Sequence, residues 1–131
     1  MRMFEPLPLA LEILAKQAVD AAINVHKSLG PGLLESVYET CLAHELRKRG
    51  LGVETQVPIP ILYDGIRLEG GLKLDLLVQK QLIVEIKAVE EMNRIFKAQV
   101  LTYLKLARLR LALLINFNVH LLRDGIERII L

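Results

Sequence analysis

The sequence contains no tryptophan, and only three tyrosines and three phenylalanines are present among its 131 residues. A folded core therefore has to be built from aliphatic side chains, in keeping with a hydrophobic fraction of 53%. Cys41 is the only cysteine, which excludes an internal disulfide and leads us to expect a reducing, cytoplasmic location. The net charge of +2 is too small to indicate nucleic-acid binding by composition alone.

Long apolar runs and targeting segments are also lacking. The longest apolar stretch, Leu111 to Phe117, is much shorter than a membrane span. Residues 1–15 carry two glutamates and lack the continuous apolar segment of a signal peptide. We therefore expect no membrane association. The length predicts one domain over residues 1–131, with enough core to fold without disulfides.

Two helices are predicted in the first fifty residues. Apolar side chains recur at three- and four-residue steps from Leu9 to Leu29, and the Gly-Pro-Gly of residues 30–32 ends that helix. A second helix is predicted from about Leu33 to Arg49, with Gly50 as its terminating residue. Together they predict an αα-hairpin.

The middle of the chain changes to patterns typical of strands. Two prolines, Pro58 and Pro60, favour the edge of a sheet, and Asp64-Gly65 is a hairpin turn signal. Gly70-Gly71 indicates a bend or bulge. The predicted strands are Val53 to Val57, Ile59 to Tyr63, Ile66 to Glu69, Leu72 to Val78 and Leu82 to Val89.

In the last third, Asn93 is placed to cap a helix that runs to about Leu109. Leu111 to Phe117 is interpreted as a buried strand. Val119 to Arg123 and Ile126 to Ile130 are predicted to form a second hairpin around Asp124-Gly125. Helices thus flank the strands on both sides in sequence, which predicts an α/β or α+β sandwich.

The candidate chemistry lies in the predicted hairpin centred on Lys80. In that register Asp75 is directly opposite Glu85, and Lys73 is opposite Lys87. Side chains alternate across a strand, so these four residues share one face. The other face is predicted to be wholly apolar; its members are Leu72, Leu74, Leu76, Val78, Leu82, Val84 and Ile86.

Two carboxylates on directly opposed residues repel each other unless a proton or a cation lies between them. Mg²⁺ prefers such oxygen ligands, and Lys87 beside them could stabilise charge on a phosphate. This spacing suggests metal-assisted phosphodiester hydrolysis. The alternative is that the four residues form cross-strand ion pairs on a solvated sheet face. The hairpin alone leaves both interpretations open.

Asp75, followed by Glu85-Ile86-Lys87 on the next strand, resembles the motif of the PD-(D/E)XK nuclease superfamily. Residues 32–38 (GLLESVY) fit the pattern GxxExxY, and the chain from His26 onward resembles the bacterial GxxExxY family of that superfamily. Further matching segments are residues 26–32 (HKSLGPG), 73–78 (KLDLLV), 84–89 (VEIKAV), 98–105 (AQVLTYLK) and 114–117 (LINF), together with Gln56, Pro58 and Tyr63.

The resemblance implies a restriction-endonuclease-like αβββαβ core with a mixed central sheet flanked by helices. The extra elements would be an N-terminal helix and a C-terminal hairpin. It also implies a site for Mg²⁺ or Mn²⁺ and a nucleic-acid substrate, DNA or RNA. By the family pattern, the metal ligands would be Asp75, Glu85, the Ile86 backbone carbonyl and Glu35, and the catalytic residues would be Lys87, Glu35 and Gln99.

Two positions depart from the family pattern. Lys73 stands where relatives often carry Arg, and Phe96 stands where they often carry His, which removes a candidate proton carrier or phosphate contact. Two other functions therefore stay open beside a nuclease. One is an inactive nuclease-fold module that binds nucleic acid or a partner protein, and the other is hydrolysis of a small phosphate ester. A chain this short would find its target through a partner or as a homo-oligomer.

Overall fold

The computed structural model describes residues 5–131, and its first elements are two helices. The first, α1 (Leu9–Leu29), ends where the Gly30 N–H donates to the His26 carbonyl at 2.8 Å. The second, α2 (Glu35–Lys48), starts two residues later and ends one residue earlier than its predicted bounds. The predicted αα-hairpin is confirmed. No helix within residues 5–131 has the length and apolar character needed to cross a bilayer.

Within the described residues, one five-stranded sheet follows, with the strands in chain order across it. The pairing of β3 with β4 is parallel and the other pairings are antiparallel. A parallel pair needs a long crossover, which α3 provides. The mixed α+β fold is therefore as predicted and consistent with a restriction-endonuclease-like core. The elements are β1 (Val53–Tyr63), β2 (Ile66–Val78), β3 (Leu82–Lys87), α3 (Arg94–Ala107), β4 (Leu111–Asn116), a 3₁₀ helix (Leu122–Gly125) and β5 (Ile126–Ile130).

The first two strands are longer than predicted, because four short segments merge into one hairpin. β1 runs through Pro58 and Pro60, which an edge strand tolerates because its outer N–H groups have no partner strand. The predicted Asp64-Gly65 turn is confirmed, with both φ angles positive at 47° and 77°. The predicted bulge is confirmed as well, since the β1–β2 register shifts opposite Gly70, whose φ is 74°.

The hairpin predicted around Asp124-Gly125 is wrong. Residues 119–123 do not form a strand, and β5 pairs directly with β4. The reason lies in two contacts with the α1 side of the sheet. The Val119 carbonyl lies 2.8 Å from His26 Nε2, and the Leu122 side chain is buried in the core beneath α1. Both contacts turn this segment away from an extended path.

Gly125 lies so close to the end of β4 that no side chain fits. A Cβ atom added there would lie well inside contact distance of the Asn116 carbonyl oxygen and 3.1 Å from Val119 Cγ2. Because the closest atom belongs to the main chain, Gly125→Ala is expected to lower the free energy of unfolding by roughly 2 kcal/mol or more. Urea unfolding measures this.

Gly71→Ala is the matched control, because the Cβ added there would meet only the flexible tip of Ile61 at 3.3 Å. The control is expected to cost less than about 1 kcal/mol. Equal stabilities for the two variants would contradict the close approach at Gly125.

Apolar side chains form one core on each side of the sheet. The first lies beneath α1 and α2, and the second beneath α3. The prediction of one wholly apolar hairpin face is wrong for Leu72 and Leu74, which pack in the second core. It is correct for the other predicted members of that face, which are Leu76, Val78, Leu82, Val84 and Ile86. On β1, Val53 likewise packs against the first core and Val57 against the second.

The change of face occurs at one level of the hairpin. Gln56 on β1 has a positive φ of 50°, an uncommon conformation for a residue other than glycine. It lies between Thr55, which pairs with Leu76, and Val57, which pairs with Leu74. Strict alternation cannot continue through such a residue. The outer half of the hairpin therefore presents its other face to α3. The prediction that Lys73 shares a face with Glu85 and Lys87 is wrong for this reason, since its neighbours Leu72 and Leu74 pack beneath α3.

Candidate metal centre

The register predicted for the central hairpin is confirmed, and it ends beside the acidic residues. Regular pairing of β2 with β3 stops at Leu76 and Val84. Beyond that pair, side-chain carboxylates take the place of main-chain carbonyls as hydrogen-bond acceptors between the two strands. The Asp75 N–H donates to Glu85 Oε1 at 2.9 Å, and the Ile86 N–H donates to Asp75 Oδ2 at 2.8 Å. The structure thus brings the two predicted acids together where the strands separate.

This centre holds more negative charge than its surroundings neutralise. Glu85 is only 5% exposed, and burial, followed by the charge of Asp75, raises its pKa to about 8. Burial also raises the pKa of Tyr103, and the charges of Glu85 and Asp75 add to that effect. Within residues 5–131, no lysine or arginine nitrogen lies within 4.0 Å of either carboxylate. A bound cation would favour the ionised forms.

The residues present fit a hard divalent cation with few protein ligands. The Ile86 N–H points toward β2, while the Lys87 carbonyl faces β4 and accepts from the Phe117 N–H at 2.8 Å. Because a strand residue directs its N–H and carbonyl to the same neighbour, the Ile86 carbonyl faces the side of Asp75. Two carboxylates and one carbonyl suit Mg²⁺, which keeps several waters.

A third acidic ligand is not preformed. In the part of the chain that the structure describes, no three His, Cys, Asp or Glu side chains are arranged to hold a metal ion. Glu35 begins α2, and its Oε1 accepts from the Ala88 N–H at 3.3 Å. This bond places the Glu35 carboxylate beside the residue that follows Lys87. Glu35 therefore lies at the border of the centre.

Lys87 ends β3 on the α3 side of the sheet. Its Nζ lies 4.3 Å from the centre of the Phe96 ring. It contributes favourably to the ionised form of Glu85, so its charge acts on the same centre. The geometry thus combines two acids, a main-chain carbonyl and an ammonium group.

A model of the PD-(D/E)XK nuclease superfamily matches residues 12–129 of the chain. The chain belongs to the PD-(D/E)XK nuclease superfamily. No curated protein and no solved structure matches the chain. Nucleases of this superfamily generally use divalent metal ions, in keeping with the donors assembled at Asp75 and Glu85.

Tyr38 organises the loop that leads into the centre of this PD-(D/E)XK fold. The side chain is fully buried and stacks on Phe117, with 4.5 Å between the ring centres. Its hydroxyl donates to the Gly30 carbonyl at 2.6 Å and accepts from the Leu33 N–H at 3.1 Å. These bonds fix the turn before α2. They therefore fix the position from which Glu35 extends.

Helical spacing predicts that Gln99 shares a buried face of α3 with Phe96 and Tyr103, and this prediction is wrong for Gln99. Gln99 is exposed on α3, whereas Val100 and Leu104 are buried against the sheet. Its neighbours at helical spacing, Phe96 and Tyr103, are half-buried. The helix is rotated so that Val100 is its inward residue at this turn. A catalytic role of Gln99 stays a prediction.

Two further residues lie beside the centre: Gln56, which the sequence analysis named only as a matching position, and Glu39, which it did not name. Gln56 Nε2 donates to both Glu39 carboxylate oxygens, at 2.9 and 3.0 Å, and to Asp75 Oδ1 at 3.3 Å. Burial raises the pKa of Glu39, and the charges of Asp75 and Glu35 raise it further. The hydrogen bond from Gln56 lowers this pKa but does not cancel the rise. Glu39 lies one helical turn after Glu35. That spacing was the signal that could have revealed it.

Asn116 was also missed as a structural support of the centre. It is 3% exposed, and its side chain bonds both main-chain groups of Val89. Oδ1 accepts from the Val89 N–H at 3.1 Å, and Nδ2 donates to the Val89 carbonyl at 2.9 Å. These bonds hold the segment that follows Lys87. The signal was an amide inside the apolar run of β4, which needs partners when buried.

Proposed function

We propose that the chain is a divalent-metal-dependent nuclease of the GxxExxY family that hydrolyses phosphodiester bonds of DNA or RNA. Asp75, Glu85 and the Ile86 carbonyl would hold Mg²⁺ or Mn²⁺. The observation that carries this proposal is the pairing of Asp75 and Glu85 where β2 leaves β3. Two acids there share a centre with no ion-paired lysine or arginine within residues 5–131.

Each residue has a task in this proposal. A bound cation would supply an acidified water and neutralise a phosphate oxygen. The Lys87 ammonium would orient the attacking water and stabilise the charge that develops on the phosphate. Glu35 provides a further acid from the start of α2, either to the cation or to its waters. Gln99, exposed one turn from Phe96, faces incoming substrate.

The second candidate is a nuclease-fold module that binds nucleic acid or a partner protein without cleaving. One observation favours it: Asp75 and Glu85 already accept main-chain hydrogen bonds from each other's strands. These bonds engage one oxygen of each carboxylate and so leave fewer lone pairs for a cation.

A cleavage assay tests the nuclease proposal. The purified protein is incubated with plasmid, single-stranded DNA and RNA, each with Mg²⁺, with Mn²⁺ or with a chelator. We expect cleavage of at least one substrate that the chelator abolishes. Salt-sensitive binding without cleavage under all of these conditions would contradict the nuclease proposal and support the binding module.

A further inference from the structure

The ammonium group of Lys87 rests on an aromatic ring instead of a carboxylate. Its Nζ lies 4.3 Å from the Phe96 ring centre, within the range of a cation–π contact. Within residues 5–131, no carboxylate oxygen lies within 4.0 Å of that nitrogen. This is unexpected for a lysine two residues from the buried acid Glu85.

The contact has a consequence for the neighbouring acids. A lysine side chain has four rotatable carbon–carbon bonds. Its own chemistry therefore does not prevent the Lys87 ammonium from forming an ion pair with Glu85 or Asp75. An ion pair there would occupy the oxygens that a cation needs. An aromatic ring attracts the ammonium and has no oxygen acceptor, so it leaves the carboxylates free.

Phe96 is well placed to hold this position. It lies in the first turn of α3, and Asn93 caps that turn by accepting from the Ile95 N–H at 3.0 Å. The ring is half-buried and packs against the core beneath α3. Its orientation is therefore set by packing, while one face meets Lys87.

We propose that Phe96 is a positioning residue for Lys87. It holds the Lys87 ammonium near the Asp75 and Glu85 carboxylates but prevents it from forming an ion pair with either of them. The inference rests on the proposed nuclease function for its catalytic consequence, but the contact itself does not depend on activity.

The contact is tested first by NMR on the metal-free protein. The ε-methylene protons of Lys87, assigned by their loss in Lys87→Ala, are expected upfield of those of other lysines because they lie near the ring. The upfield position should persist in Phe96→Tyr and vanish in Phe96→Leu. Leu101→Ala, which trims another half-buried side chain of α3, is the matched control and should leave it unchanged. An ordinary Lys87 resonance in the unmutated protein would overturn the proposal.

The consequence is tested by Mn²⁺ calorimetry and by cleavage kinetics. In Phe96→Leu we expect Mn²⁺ affinity and kcat each to fall about 3- to 30-fold with KM little changed, because the freed ammonium competes for the carboxylates. Phe96→Tyr should restore both. Unchanged Mn²⁺ affinity and kcat in Phe96→Leu would overturn the positioning role. A protein that binds Mn²⁺ but cleaves nothing would count against the nuclease function alone, because the NMR and affinity results still decide the role of Phe96.

Discussion

Asp75→Asn and Lys87→Ala are each expected to reduce metal-dependent cleavage by about 10²- to 10³-fold or more. Asparagine keeps the shape of Asp75 and an oxygen that accepts from the Ile86 N–H, so the fold should persist while a charged ligand is lost. Alanine at residue 87 removes the ammonium that stabilises phosphate charge. Initial rates at saturating Mg²⁺ measure both effects.

Matched substitutions separate these effects from general changes in charge. Asp64→Asn lies in the distant hairpin turn, where Asn-Gly is as favourable as Asp-Gly. Lys16→Ala lies at an exposed position of α1, on the opposite side of the sheet from Lys87. Both controls should cleave at the rate of the unmutated protein. Cleavage retained in Asp75→Asn and Lys87→Ala would show that the nuclease activity does not depend on this centre.

The metal-free protein is expected to lose stability as the pH rises from 5 to 8. The pKa of Glu85 is raised from 4.5 to about 8 in the folded chain, so the folded state holds a proton that the unfolded state releases. The stabilisation is fully present below pH 4.5 and is lost as the pH rises through about 8. By linkage the change amounts to about 5 kcal/mol at most. The raised pKa of Glu39 acts in the same direction.

Urea unfolding at several pH values, with a chelator present, measures this loss. Glu85→Gln keeps an oxygen that accepts from the Asp75 N–H but carries no charge, so it should remove most of the pH dependence. At pH 8 this variant should unfold at a higher urea concentration than the unmutated protein. Glu127→Gln is the control at an exposed position on β5. It removes only a surface ion pair with Lys97, so the dependence of stability on pH should stay that of the unmutated protein. The same slope in Glu85→Gln and in the unmutated protein would contradict the assignment to Glu85.

The sequence was sufficient to predict the central hairpin because alternation and turn position together determine the register. The turn around Lys80 placed Asp75 beside Glu85, and the structure has those residues bonded to each other's strands. Asn93 was correctly predicted as a helix cap, since its side chain acts within its own turn. Such local patterns are readable without knowledge of the fold.

The failures concern features that depend on residues distant in sequence. Alternation within β2 could not reveal that Leu74 changes core, because the irregular backbone at the same level belongs to Gln56 on another strand. The exposure of Gln99 depends on how α3 is rotated against the sheet, which the helix's own periodicity does not determine. The contact of Phe96 with Lys87 joins α3 to β3, and the sequence pattern of neither segment predicts it.

The central claim is that Asp75 and Glu85 together hold one divalent cation. Titration with Mn²⁺ by calorimetry at pH 8, on the unmutated protein, Asp75→Asn and Glu85→Gln, tests it most directly. We predict one bound ion per chain in the unmutated protein and strongly weakened binding in both variants. No heat of binding in the unmutated protein, or equal affinity in all three, would contradict the claim.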